Sequence, residues 1–189
     1  MAPRPRLSGQ PARCLAAWCA LGLLATAPRV SAQLPIPKSQ VASVVQHVAG
    51  ARIEILYHRP VARGRALFGA LVPWGRLWTP SADSAARLTL SAPITINGAL
   101  LAAGTYSVWA IPDSSSWTVI FNTTPAAFHL RYPEGHDALR VRATPQQGEY
   151  VESLLFAFPL VDADSAVLNL RWGTTAVPLT IHAVPDIAR

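Results

Sequence analysis

Residues 94–111 read ITINGALLAAGTYSVWAI, and this stretch decides the fold class. Ile94-Thr95-Ile96 alternates apolar and polar and runs into Asn97-Gly98, the strongest short hairpin signal, because both residues accept positive φ. Leu100 to Tyr106 then leads into the apolar run Ser107 to Ile111. The same grammar extends in both directions. Downstream, Trp117–Phe121, Ala138–Thr144, Tyr150–Phe158, Ala166–Trp172 and Thr175–His182 read as strands. Turn signals at 113–116, 145–148, 159–164 and 173–174 separate them. Upstream, Leu88–Leu90 is a short strand. Ile53, Ile55 and Tyr57 alternate with Arg52, Glu54 and Leu56, and Ala49-Gly50-Ala51 joins that run to Val41–Val48 as a hairpin with one buried face. About ten short strands, with no helical pattern longer than two turns and no internal repeat, predict a single all-β domain, an antiparallel β-sandwich.

The first 32 residues do not belong to that pattern. Arg4, Arg6 and Arg13 precede the apolar run 14–27, CLAAWCALGLLATA, and Val30-Ser31-Ala32 places small residues before Gln33. This is the layout of a cleaved secretory signal, and the run is shorter than the roughly 18 residues that span a bilayer. The expected mature chain, residues 33–189, is therefore exported, periplasmic or secreted, with no membrane span after cleavage. Cys14 and Cys19 leave with the signal, so no disulfide is expected. The formal charge of +6 falls as well. Twelve basic residues remain against ten acids, and the mature chain carries only +2. A nucleic-acid partner inferred from overall basicity is thereby excluded.

One segment interrupts the strands. Residues 57–83 read YHRPVARGRALFGALVPWGRLWTPSAD. They hold Arg59, Arg63, Arg65 and Arg76 against the single acid Asp83, together with Tyr57, Phe68, Trp74 and Trp78, and neither period, 2 nor 3.6, persists through them. Long irregular segments in a compact domain are commonly functional or disordered, and this one is too rich in large apolar residues for disorder. Arginine forks onto carboxylates and stacks on aromatic faces. Two readings follow. Arg59 and Arg65 tie the excursion to the sandwich through Glu54, Asp83 or free carbonyls while Trp74 and Trp78 plug an end of the core. Alternatively, Tyr57, Arg59, Arg65, Trp74, Trp78 and Asp83 line a groove for an anionic or carbohydrate ligand or a cell-envelope component.

Catalytic patterns are scarce. The chain has no G-x-S-x-G elbow, H-E-x-x-H, G-x-x-x-x-G-K or G-x-G-x-x-G. His129 and His136 share a loop with Asp137, where a metal site is conceivable, although exposed loop histidines are the simpler reading. Neither a catalytic residue, a metal nor a cofactor is assigned. Ser81, Ser84 and Asp83, with His58 nearby, form the one cluster from which a hydrolase site could be assembled, though serine and aspartate at a turn usually cap it. Asn122-Thr123-Thr124 matches a glycosylation acceptor in letters alone.

The excursion also carries a resemblance. Tyr57-His58-Arg59-Pro60, Arg63-Gly64-Arg65-Ala66-Leu67-Phe68-Gly69, Leu71-Val72-Pro73-Trp74-Gly75 and Trp78 resemble the motifs of a family of secreted bacterial proteins, the domain of unknown function numbered 2911. Ala103-Gly104-Thr105-Tyr106, Ile111-Pro112, Trp117-Thr118-Val119-Ile120, Asn122 and Asp137-Ala138-Leu139-Arg140 are similar too. The resemblance implies one secreted β domain and brings no activity. After Trp78, Thr79-Pro80-Ser81-Ala82-Asp83-Ser84 departs from the family pattern R-T-G-A-N-E. The sequence thus points to an exported binding or envelope-associated module, with a hydrolase using His58, Ser81 and Asp83 as the alternative.

Overall fold

Asn97 and Gly98 sit at φ 47° and 83°, the two left-handed residues that a twisted two-residue hairpin turn requires. They join two of ten strands: β1 (Gln40–Val48), β2 (Ala51–Arg59), β3 (Ala86–Leu90), β4 (Ile94–Ile96), β5 (Ala99–Leu101), β6 (Gly104–Ile111), β7 (Trp117–Asn122), β8 (Asp137–Ala143), β9 (Gln146–Val161) and β10 (Ser165–Ala183). This computed structural model describes residues 37–184, so the expected signal segment, both cysteines and the cut before Gln33 lie outside the described residues. Among the described residues no helix is long and apolar enough to cross a membrane.

Six strands form one antiparallel sheet in the order β1-β2-β3-β6-β7-β8, and four form a second in the order β5-β4-β10-β9. The architecture is the all-β sandwich that the alternation predicts. Ile53, Ile55 and Tyr57 of β2 are buried, and the intervening residues are only partly so. They pack with Leu88, Val108, Val119 and Phe121 of the same sheet against Leu154, Leu168, Leu170, Val177 and Leu179 of the other. Asn97 also fastens an edge of the sandwich. Its Nδ2 donates to the Arg142 carbonyl of β8 (2.7 Å), and its Oδ1 accepts from the Thr180 amide of β10 (2.8 Å).

Strand boundaries differ from the sequence reading in two strands: β9 (Gln146–Val161) extends into the turn signals at 145–148 and 159–164, and β10 crosses the one at 173–174. Gly173-Thr174 is not a turn, because β10 runs straight through it while remaining paired with β9 from Ala166 to Ala176. The register shifts on either side of Gly173, which sits at φ 59°. An extra residue absorbed in a bulge carries the same glycine signature as a turn, which is why the two look alike in sequence. Pro178, which has no amide hydrogen for a ladder, falls between Ala176, the last residue to pair with β9, and Ile181, the first to pair with β4.

The outer face of β6 and β7 is covered as well. Trp109 and Ile120 form a second small core with Ala85 and Ala127, and Tyr132 packs against it. Burial on both faces explains why Val108–Ile111 and Val119–Phe121 read as continuous apolar runs. The covering segment 123–136 is held by one polar knot. Asp137 accepts from Asn122 Nδ2 (2.9 Å), from the Tyr132 hydroxyl and from Arg140 Nε (2.7 Å). Asn122 is fully buried, donates also to the Pro133 carbonyl and accepts from the Thr124 amide. Its amide is therefore a fastener and not a glycan acceptor, and Asp137 is committed to neighbours other than a metal. His136 is exposed, and His129 Nδ1 donates to the Asp83 carbonyl (2.8 Å).

Two stability predictions follow. Ala49 and Gly50 adopt φ 44° and 85°, the same turn geometry as Asn97-Gly98, but alanine in the left-handed region is strained by roughly 1 kcal/mol or more where asparagine is tolerated. Ala49→Asn should therefore raise the melting temperature by about 2–4 °C, the shift expected from ~1 kcal/mol in a domain of this size. An unchanged or lower melting temperature would refute the turn assignment.

The second concerns acid. Burial alone would push the Asp137 carboxyl up, but hydrogen bonds from Tyr132, Asn122 and Arg140 outweigh it and hold the group below its ordinary range. A carboxyl depressed in the folded state adds stability that is complete above its unfolded value, about 3.9, and is lost as the pH falls through the folded value. Asp137→Asn should lower the melting temperature at pH 7, and the gap to the wild type should narrow as the pH falls below about 4. A gap that stays constant down to pH 2 would show that Asp137 is not held ionised by this knot.

Candidate functional site

The excursion spans the mouth of the sandwich from one sheet to the other. It leaves β2 at Pro60, whose carbonyl accepts from the Leu154 amide of β9 (2.9 Å), while the Ala62 amide donates to the Glu152 carbonyl (2.8 Å). It returns along β6. The Gly75 amide donates to the Pro112 carbonyl (2.8 Å), and Trp78 and Ala110 exchange both backbone hydrogen bonds (2.8 and 2.7 Å). Thr79, buried, donates its hydroxyl to the Val108 carbonyl (2.7 Å) and accepts from the Ala86 amide (3.2 Å), which completes the return to β3.

Between these anchors the aromatic residues enter the core. Phe68 meets Trp117 of β7 edge to face, with ring centroids 4.8 Å apart, and Trp172 of β10 at 6.2 Å. Trp78 stacks almost parallel on Trp172, at 6.2 Å and 8°, and meets Trp117 edge on. Phe68 and Trp78 thus wedge between a tryptophan of each sheet. Two glycines permit the close approach. A Cβ on Gly69 would lie 2.4 Å from Trp74 Nε1, and one on Gly173 would lie 2.8 Å from Leu67 Cδ1.

Outside the wedge is a groove of about 570 Å³. Arg65, Leu67, Phe68 and Trp74 of the excursion form one wall. Asp113 and Ser114 of the β6–β7 turn, Gln146, Gln147 and Tyr150 of β9, and Gly173–Thr175 of β10 form the rest. Trp117 and Trp172 are almost fully buried behind it, whereas Trp74 remains 44% exposed with Phe68 packed on its ring. Hydrogen bonds from the Ser115 amide and hydroxyl to Oδ1 hold the Asp113 carboxyl below its ordinary range, so it is ionised at neutral pH.

The six residues expected to line one groove are divided by the fold. Arg65 and Trp74 line the groove just described. Tyr57 and Asp83 line a separate concavity of about 420 Å³ with His58, Ser84, Arg87 and Phe128. Within it Tyr57 is core: its ring meets Phe156 edge on at 4.9 Å, and its hydroxyl accepts from the Phe156 amide (3.1 Å). Trp78 belongs to the wedge. Arg59 reaches from β2 to donate Nε to the Leu154 carbonyl of β9 (3.1 Å), and Arg65 folds back onto the Val61 and Ala62 carbonyls (2.6 and 2.8 Å). The partners are carbonyls, not Glu54, which pairs with Arg52.

The second concavity holds the serine–histidine pair. Ser84 Oγ lies 3.2 Å from His58 Nδ1, whereas Ser81 Oγ accepts from the His58 amide (2.9 Å) and is nearly buried. Asp83, at φ 62°, offers its carbonyl to His129. Ser84, not Ser81, is therefore the serine in reach of the imidazole.

A family profile described as "Protein of unknown function (DUF2911)" matches residues 39–181. The chain belongs to the DUF2911 family. Among curated proteins and among solved structures nothing matches it. In this DUF2911 chain the residues behind the resemblance resolve into architecture: Phe68 and Trp78 form the wedge, Gly69 seats Trp74, and Asn122, Asp137 and Arg140 form the polar knot. The groove-lining residues that sequence reasoning missed, Asp113, Gln146, Gln147, Thr174 and Thr175, lie at turn signals or a strand bulge. The available cue was that alternate connections of antiparallel strands fall at the same end of a sheet.

The arginines make separable predictions. The Arg59 bond joins the two sheets and is half-buried, so Arg59→Ala should destabilise by about 1.5–3 kcal/mol, the usual worth of a charge-assisted hydrogen bond. At roughly 2–4 °C per kcal/mol the melting temperature falls by several degrees. Arg65 is exposed and bonds only three and four residues away, so Arg65→Ala should change stability by no more than about 0.5 kcal/mol. Thermal melts of the two variants check this, and equal shifts would contradict it.

Proposed function

We propose that the protein is an exported, non-enzymatic binding module that holds an anionic or carbohydrate ligand, or a component of the cell envelope, in the groove beside Trp74. The observation that carries this reading is Trp74 itself: a large aromatic held by Phe68 and Gly69, left 44% exposed on a groove of about 570 Å³ with a polar rim. Small-molecule sites occupy roughly 300–1,000 Å³ and combine aromatic walls with a few fixed polar groups. Export rests on the arginine-flanked apolar run and the small residues before Gln33. The test is a set of binding isotherms against envelope glycans and their acidic fragments. The wild type should saturate and Trp74→Ala should weaken binding at least tenfold with its melting temperature retained. Binding indifferent to Trp74 would move the site elsewhere.

A second reading, hydrolysis in the other concavity, is favoured by the Ser84–His58 contact of 3.2 Å. Acyl transfer also needs donors for the developing oxyanion. Here the amides of Ser84 itself and of the following Ala85 are already engaged, Ser84 with the Ala82 carbonyl (2.6 Å) and Ala85 with the Ala127 carbonyl (2.9 Å). Binding is therefore the leading reading. Labelling of Ser84 by a fluorophosphonate, lost in Ser84→Ala, would reverse the order.

A further inference from the structure

We infer that the occupant of the Trp74 groove is a neutral sugar and not an anion; this rests on the binding reading above and narrows its ligand class. The charge balance of the groove comes first. Its lining contains one cation, Arg65, and one anion, Asp113, so the formal charges cancel. The cation is also turned away from ligand work, because its Nε and one terminal nitrogen are bound to the Ala62 and Val61 carbonyls. An anion site needs converging donors, usually bidentate forks from more than one cation, and this single guanidinium has directed its Nε edge onto its own backbone, leaving only the outer edge.

The remaining groups suit a polyol. Trp74 offers an exposed ring face for the C–H face of a pyranose, an apolar contact that carries no charge preference. Asp113 is ionised, and of the about four acceptor sites of an ionised carboxylate Ser115 fills two through Oδ1, while the Ser116 amide and the Arg142 charge nearby also favour the ionised form. The acceptor capacity that remains suits hydroxyl donors and repels a uronic acid or phosphate. Gln146 and Gln147 add amide groups that both donate and accept, which a hydroxyl can answer in either sense.

The test uses the mature protein and a matched pair of oligosaccharides, one neutral and one with the same linkages carrying uronic acids. Affinities are measured from 50 to 500 mM salt. The neutral member should bind with an affinity that changes less than twofold across the salt range, and the acidic member at least tenfold more weakly. Asp113→Asn should lose about tenfold, Trp74→Ala more, and Trp74→Phe should recover part of that loss, which separates stacking from misfolding. Arg65→Gln should change affinity less than threefold. Preference for the acidic member, with steep salt dependence and a large loss in Arg65→Gln, would overturn the neutral-sugar inference and leave the groove as a binding site for anions. Absence of any Trp74-dependent binding to either member would remove the binding reading and this inference together.

Discussion

The structure depends on one contact, the insertion of Phe68 and Trp78 between Trp117 of the six-stranded sheet and Trp172 of the four-stranded sheet. A β-sandwich is open at its ends, and the loops there can leave apolar edges of both sheets in water. Here a single excursion closes one end. It makes few repetitive hydrogen bonds, so its order derives from burial and from ring geometry, where each aromatic pair adds about 0.5–1.5 kcal/mol beyond its area. The backbone anchors have the same logic. Val61 bridges to Ser153 in one sheet and Trp78 to Ala110 in the other, so the excursion cannot lift away without loosening both.

The sheets were legible in the sequence because their signals are local. Alternation at Ile53, Ile55 and Tyr57 and the Asn97-Gly98 turn depend only on neighbours along the chain. Gly173 was misread because a bulge and a turn both call for a residue at positive φ, and only the partner strand tells them apart. The excursion was legible as a feature but not as a geometry. Its six singled-out residues are neighbours in sequence, yet Tyr57 and Asp83, at its two ends, line one concavity, while Arg65 and Trp74 between them line the other. Sequence proximity therefore grouped Asp83 with Trp74, while the fold groups Trp74 with Asp113, Gln146 and Thr174, which arrive on other connections.

A division of labour follows for the polar residues. Arg59, Thr79, Asn122 and Asp137 each satisfy backbone or side-chain groups that burial would otherwise leave without partners. An unsatisfied buried donor or acceptor is costly, about 1–3 kcal/mol, so these residues are explained by the fold alone. That explanation narrows the search for function, since a residue already required by the architecture gives no evidence of a ligand. Trp74 is the contrast. The wedge closes through Phe68 and Trp78, and nothing in the packing requires a third large ring with nearly half its surface in solvent.

The position of Trp74 also bears on how a ligand would be held. The ring is fixed from below by Gly69, where a Cβ would collide with it, and from one side by Phe68. The facing wall belongs to the start of β9, the mid-strand bulge of β10 and the short β6–β7 turn, not to a long loop. A groove walled by strands and a short turn would lose little conformational entropy on binding, so affinity could come from a modest set of contacts. Preorganisation of this kind favours recognition. Catalysis would demand in addition a nucleophile or acid–base pair beside free donors, and the one serine–histidine contact described here lies in the other concavity, with its adjacent amides already bonded. The physical asymmetry between the two concavities, one built around an exposed aromatic and the other with the Ser84 and Ala85 amides engaged, is the reason the aromatic groove is the one proposed for binding.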